Sequence, residues 1–202
     1  MNKPGKPPGD TRAQLVAAFE QLLEERPISA ISIRDITSAA HVSNPTLYYH
    51  FGKKEDLYRT LLEERLTELR DAVRQVAANG GDDAGRRLID LANAFMDGVF
   101  RLPAPNAILR ELVGQGGLGV QRAVFRAERD VRSYFEDALR FGIGKGDFRA
   151  ELDVRITAIS IVGLLSLFAV RRLAEADDPD DAGVRLLRDV VIPGMSRRAV
   201  SP

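Results

Sequence analysis

Residues 32–51 read S-I-R-D-I-T-S-A-A-H-V-S-N-P-T-L-Y-Y-H-F, from Ser32 to Phe51. This stretch divides into two short helices joined by a tight bend. Ser32 is placed to N-cap the first helix, with Asp35 three residues on, near the positive helix end. Ile33, Ile36 and Ala40 form one apolar stripe at helical spacing. His41 and Val42 interrupt it, and Ser43 opens a second helix as its cap. Pro45 falls in the first turn, where proline is tolerated. Leu47 and Phe51, four apart, make the buried face of that second helix. Its other face carries Ser43, Asn44, Thr46, Tyr48, Tyr49 and His50.

This pattern predicts a helix-turn-helix, in which the second helix enters the DNA major groove with its N-terminal residues against base edges. Short polar side chains there reach bases, while hydroxyls, histidine and lysine beside them hold phosphates. A plain helical hairpin with a polar outer face has the same periodicity. Two outward tyrosines beside an imidazole favour the DNA reading, because solvent faces more often carry Glu, Lys and Gln.

The run V-S-N-P-T-L-Y-Y-H-F-G-K-K-E-D-L (Val42 to Leu57) resembles the recognition helix and the following helix start of the TetR family of transcriptional regulators. The preceding S-I-R-D-I-T-S-A-A is similar to that family's second helix. The strong resemblance runs from about Thr11 to Leu62, and its most specific part is T-L-Y-Y-H-F followed by K-x-D-L. Beyond it, the chain matches the family only in length and helical character.

With 202 residues, the chain is long enough for a sizeable core in one or two domains. Its 29 basic and 29 acidic residues cancel, and local charge matters more for DNA than the total. From Arg26 to Lys54 the basic residues Arg26, Arg34, Lys53 and Lys54 face only Asp35, a net charge of +3 before the histidines. The chain has no cysteine, which excludes disulfides and thiolate chemistry and suits a cytoplasmic setting. No signal peptide and no internal repeat are evident.

In chain order, residues 1–10 (M-N-K-P-G-K-P-P-G-D) read as a disordered tail. Thr11 to Arg26 reads as an amphipathic helix with Leu15, Ala18, Phe19, Leu22 and Leu23 inward, packed on Ile33, Ile36, Leu47 and Phe51. Gly52 ends the recognition helix. Leu57, Leu61, Leu62, Leu66, Leu69, Val73 and Val76 then mark a helix more than about 30 Å long, broken by residues 79–83. Leu88 to Phe100 belong to the next helix, ended by Pro103 and Pro105, and Ile108 to Val113 to a short successor. The loop G-Q-G-G-L-G (Gly114 to Gly119) lacks the G-K-[ST] of a phosphate loop and reads as a bend. Val120 to Phe141 is helical, with Gly142 to Asp147 a turn. Asp153 caps a helix from Val154 to Ala174 that is apolar on nearly every side. That apolar run is shorter than the about 20 residues of a membrane span, so a helix buried between core and partner subunit is expected. Residues 177–181 (D-D-P-D-D) read as a solvated loop, lacking the spacing of a calcium site. A last helix is expected from about Ala182 to Met195.

The fold class is therefore all-α, with about nine helices: a helix-turn-helix domain at residues 11–55, then a ligand-binding and dimerisation domain at residues 56–198. An all-round apolar helix followed by an amphipathic one proposes a homodimer through the last two helices. Two modules on a symmetric dimer read a palindrome where one reads only a few base pairs.

The resemblance implies a repressor of the TetR type that binds a palindromic operator in double-stranded DNA and is released by a small-molecule effector. By that resemblance the long helix after Gly52 transmits ligand binding. It places Asn44 and Pro45 against bases, where Asn pairs with adenine and Pro makes only apolar contact. Ser43 is a cap with a further DNA contact, and Arg34 is a base or phosphate contact. Thr46, Tyr48, Tyr49, His50 and Lys54 match the phosphate clamp. An effector pocket in the C-terminal body is expected to draw on Phe95, Phe100, Leu109, Phe125, Tyr134, Phe135 and Phe168. Few charges interrupt these stripes, so the effector is expected to be largely apolar.

No catalytic residue, metal site or cofactor is expected. There are two histidines, one of them in the motif, and no H-x-x-x-H, G-x-S-x-G or paired-carboxylate arrangement stands out. The alternative reading is a helical adaptor that binds protein and not DNA.

Overall fold

The structure is a computed structural model. It describes residues 8–104, 108, 119–174 and 182–196, with side chains from residue 11 onward and not at 173 and 174. Eight helices run through the described residues: α1 (Pro8–Glu25), α2 (Ile33–Ala39), α3 (Asn44–Phe51), α4 (Lys54–Ala78), α5 (Ala84–Phe100), α6 (Gln121–Lys145), α7 (Val154–Ala174) and α8, residues 182–195. The class is all-α, as the sequence predicts.

The chain forms two compact units, one of residues 1–65 and 102–122, the other of residues 66–101 and 123–202. Residues 54–65 of α4 therefore count with the first unit and the remainder with the second.

In the first unit, α1 packs on α2 and α2 on α3. Leu15, Phe19, Ile36 and Leu47 are fully buried, joined by Val16, Ala18, Ile31 and Phe51. The inner-face reading of α1 holds for Leu15, Ala18 and Phe19, while Leu22 and Leu23 are only half-buried. Helix α1 begins at Pro8, inside the stretch expected to be tail. The correction is physical: proline in the first turn gives up an N–H that has no helical partner anyway. Residues 1–7 lie outside the described residues. Glu20 and Arg65 form a two-pronged ion pair, Nε to Oε1 at 2.6 Å with a second bond from the other guanidinium nitrogen. Tyr58, fully buried, sits edge-on to Phe19 and donates its hydroxyl to the Pro103 carbonyl at 3.1 Å.

In the second unit, Val73, Leu88, Ala92, Val131, Phe135, Leu139, Ala158, Leu165 and Leu187 are among the fully buried core residues. Asp83 caps α5, accepting from Arg86 N at 2.8 Å, and Asp153 caps α7, accepting from Ile156 N at 2.9 Å. The turn expected from Gly142 to Asp147 starts later: α6 continues to Lys145, and the chain turns at Gly146, where φ is +86°. Gly142 serves packing instead. A Cβ on it would lie 2.2 Å from Phe148 Cδ2 and 2.9 Å from the Ala84 Cβ. The last helix contains a π-turn at Leu187–Val191, followed by Ile192–Met195. Pro193 has no N–H to return to residue 189, and the wider turn accommodates that loss.

Helix α7 corrects the length argument against a membrane span. Its Val154–Arg172 stretch, 19 residues of mean hydropathy 1.8, is long and apolar enough to cross a membrane, although only 28% of its window is buried within the chain. Ala158, Ile161, Val162, Leu165 and Ala169 face the core, and Ile156, Ile159 and Leu167 are exposed at 62%, 46% and 58%. Residues 105–107 and 109–118, including Leu109, the short helix expected there and most of the glycine-rich loop, lie outside the described residues, as do residues 177–181.

Candidate nucleic-acid interface

The expected pair of short helices forms at the expected place. Ser32 Oγ accepts from Asp35 N at 3.2 Å, and Asp35 Oδ2 accepts from Ser32 N at 2.8 Å, a reciprocal capping box at the start of α2. The Ser32 backbone N–H, then its hydroxyl, then Arg26 hold the Asp35 carboxyl below the usual carboxylate range. Helix α2 ends in a Schellman motif: Val42 N bonds Thr37 O at 2.9 Å and His41 N bonds Ser38 O at 3.2 Å. His41 carries the left-handed conformation this motif needs, with φ +55°.

Ser43 then takes the N-cap position of α3 with extended backbone, but its side chain makes no capping bond. The expected hydroxyl cap is thus corrected: Ser43 Oγ is 2.8 Å from Thr46 Oγ1, and the two hydroxyls satisfy each other. Pro45 occupies the first turn as expected, and Gly52, at φ +72°, closes the helix. Leu47 and Phe51 are buried, which rotates the opposite face to solvent.

On that face Tyr48 is 51% and Tyr49 84% exposed. Such exposure of two phenols leaves their rings and hydroxyls available to a partner. His50 is half-buried with its ring centroid 5.2 Å from that of Tyr49, edge to face. Asn44 and Pro45 are exposed at the N-terminal end. Asn44 Oδ1 accepts from the Thr37 hydroxyl at 2.6 Å. Arg34 on α2 is exposed, and its guanidinium makes no hydrogen bond or ion pair among the described residues. The same holds for the ammonium of Lys53.

Lys54 is placed differently from its expected role. Its Nζ donates to the carbonyls of Ile28 at 2.9 Å and Ile31 at 2.7 Å. Two of its three donors therefore tie the start of α4 to the turn before α2. The lysine that extends into solvent is Lys53. Sequence reading also missed Thr37. The available signal was a polar residue on the buried stripe of α2, next to Ile36.

Of the residues expected to line an effector pocket, Leu109 lies outside the described residues, and the other six disperse within the second unit. Phe95 and Phe135 are buried in its core, and Tyr134, Phe100 and Phe168 pack half-buried against it. The Arg172 guanidinium lies 4.0 Å from the Phe100 ring centre. Phe125 is 60% exposed, not interior as expected. A cleft of about 430 Å³ opens elsewhere in this unit, lined by Asp82, Asp83, Gly85, Lys145, Asp147, Phe148, Ile192 and Ser196. Among the described residues no group of His, Cys, Asp and Glu is arranged to hold a metal.

One comparison with known proteins falls on this region. Residues 15–61 match the family model described as bacterial regulatory proteins, tetR family. The HTH-type transcriptional regulator EthR of Mycobacterium tuberculosis H37Rv is 37% identical over 78 residues, 38% of this chain and 36% of EthR. The match thus spans just over a third of that relative's length. The HTH-type transcriptional repressor KstR2 of Rhodococcus jostii RHA1 is 26% identical over 147 residues, 72% of this chain and 71% of KstR2. Among solved structures, the fatty acid degradation regulator FadR from Bacillus halodurans superposes with a TM-score of 0.72 at 23% identity, covering 96% of this chain and 100% of that one. FadR from Bacillus subtilis in complex with stearoyl-CoA gives 0.70 at 19% identity, covering 91% and 98%. These two share the fold.

Proposed function

We infer that this chain, a member of the TetR family of bacterial regulatory proteins, is a cytoplasmic repressor that binds a palindromic operator as a homodimer and is released by a small, largely apolar effector. One observation carries the DNA reading. The solvent face of α3 concentrates Asn44, Pro45, Tyr48 and Tyr49, and the exposed cations Arg34 on α2 and Lys53 just after α3 have no partner among the described residues. Asn44 and Pro45 meet base edges, and the phenols, His50, Ser43, Thr46 and the cations hold phosphates. Lys54 acts mainly by fixing the register of α4 against residues 28–31.

The dimer reading rests on α7 and α8. Ile156, Ile159, Gly163 and Leu167 fall on one exposed face of α7, and Val190 is 59% exposed on α8. Water is a poor partner for that face, and a second copy related by a two-fold axis covers it. Flanking arginines and the interspersed Ser160 and Gly163 suit a subunit interface better than lipid. The name of KstR2 as a repressor supports the sign of regulation. The B. subtilis FadR complex with stearoyl-CoA supports an effector with a long apolar part. Effector binding favours a spacing of the two α3 helices that no longer fits successive grooves, with a coupling of about 1–3 kcal/mol.

Selection of bound duplexes from a random pool, repeated with a metabolite library, tests this reading. An enriched inverted repeat whose binding weakens with one apolar metabolite is expected. A pool that never departs from random sequence would overturn it and leave the protein-binding adaptor.

A further inference from the structure

Apart from the Tyr58 phenol, Thr37 is the one buried side chain with a polar group among the described residues, at 3% exposure. Its hydroxyl oxygen lies 3.0 Å from the Ile33 carbonyl, one turn back in its own helix. That contact alone satisfies a threonine inside a helix. Yet the same oxygen lies 3.3 Å from the Arg34 carbonyl and, across the turn, 2.6 Å from Asn44 Oδ1; with a single O–H to give, it donates along the shortest of the three. The bond joins the first helix of the module to the first residue of the second. Asn44 is exposed, and its side chain has no other hydrogen bond among the described residues. A surface asparagine without a tether samples several rotamers, and fixing one on binding carries an entropic cost.

An amide oxygen has two lone pairs, and its NH2 group has two donors. With Thr37 on one lone pair, Asn44 keeps one acceptor and both donors. Those are the groups needed to accept from adenine N6 and donate to adenine N7. The Thr37 anchor itself is held, because buried Ile36 beside it and the Val42–Thr37 backbone bond fix its place in the α2 terminus.

We propose that Thr37 is a positioning residue for base readout: from within the core it holds the Asn44 amide in its base-reading orientation, so operator specificity depends on a side chain that touches no DNA. This rests on the DNA-binding reading above and adds to it a specificity-determining residue.

The test uses the full chain with Thr37→Val and Thr37→Ser, each alone and with Asn44→Ala, against the selected operator and a random duplex at one salt concentration. Thr37→Val is expected to weaken operator binding about tenfold, the lower end for one good base contact, and to change random-duplex binding less than about twofold. Thr37→Ser keeps the hydroxyl and is expected to stay within about threefold of the parent chain, since only a methyl is lost. In the Asn44→Ala background, Thr37→Val is expected to cost nothing further. Equal losses on both duplexes, or the same loss with and without Asn44, overturn the proposal and leave Thr37 a core residue. Should Thr37→Val unfold, the Asn44 side-chain rotamer in the parent and Thr37→Ser chains decides: three-bond couplings of a single fixed χ1 support the tether, and rotamer-averaged couplings overturn it. A parent chain that selects no sequence removes the DNA-binding reading itself. A selective parent with an equally selective Thr37→Val removes only this inference.

Discussion

Three side chains of the helix-turn-helix carry separable consequences. On the proposed reading Asn44 meets a base, so Asn44→Ala is expected to cost about 1–3 kcal/mol on the operator and much less on random DNA, as measured by titration on both duplexes. Equal loss on both would remove its base-reading role. His41 sits at φ +55°, where L-residues other than Asn, Asp and His are strained. His41→Gly is expected to leave stability within about 1 kcal/mol of the parent or raise it, and His41→Val to lower it by about 1–2 kcal/mol, read from urea midpoints. Asp35 gives the pH dependence. Its carboxyl is depressed in the folded chain by the Ser32 N–H and hydroxyl, so its contribution is present above the unfolded value of about 4 and is lost as pH falls through the folded value. The stability gap between the parent and Asp35→Asn is therefore expected to be constant near neutrality and to close in acid. A gap that widens on acidification contradicts the capping assignment.

At the level of helices, sequence patterning reached far because caps and apolar spacing are local. The Ser32–Asp35 box, the α4 stripe from Leu57 to Val73 and the Asp153 cap could all be read from residues three or four apart. What escaped depended on distant partners. Gly142 looks like a breaker by composition, and only the approach of Phe148 and Ala84 shows why a helix keeps it. Lys54 looks like a phosphate ligand until the carbonyls of residues 28 and 31 are in place. Phe125 is expected at a pocket for its aromatic ring alone, with Glu128 and Arg129 at the helical spacings after it, and α6 turns it to solvent. Paired substitutions in α6 make the distinction measurable. Gly142→Ala, which forces a Cβ to 2.2 Å from Phe148, is expected to destabilise by about 1–3 kcal/mol through overpacking. Gly144→Ala meets nothing within 4 Å and is expected to stabilise by up to about 1 kcal/mol through helix propensity. The reverse order of melting temperatures contradicts the packing account.

For the whole molecule, the proposed function depends on pairing. Leu167 is 58% exposed on α7, so Leu167→Glu disturbs no core contact, and the stability of the single chain is expected to change by less than about 0.5 kcal/mol. Sedimentation is expected to show a dimer for the parent and a monomer for Leu167→Glu, with operator binding reduced at least tenfold through loss of the second half-site. A dimer of unchanged affinity would move the interface elsewhere. The central claim is that two copies of α3 enter successive major grooves of one duplex. It is tested most directly by replacing purines of the selected operator one at a time with 7-deazapurines, which removes the N7 acceptor from the major groove alone, and measuring binding at each position. Two clusters of weakened binding, related by a two-fold axis and centred one helical turn or more apart, are expected. Binding indifferent to every substitution, or weakened in a single unpaired cluster, contradicts the account.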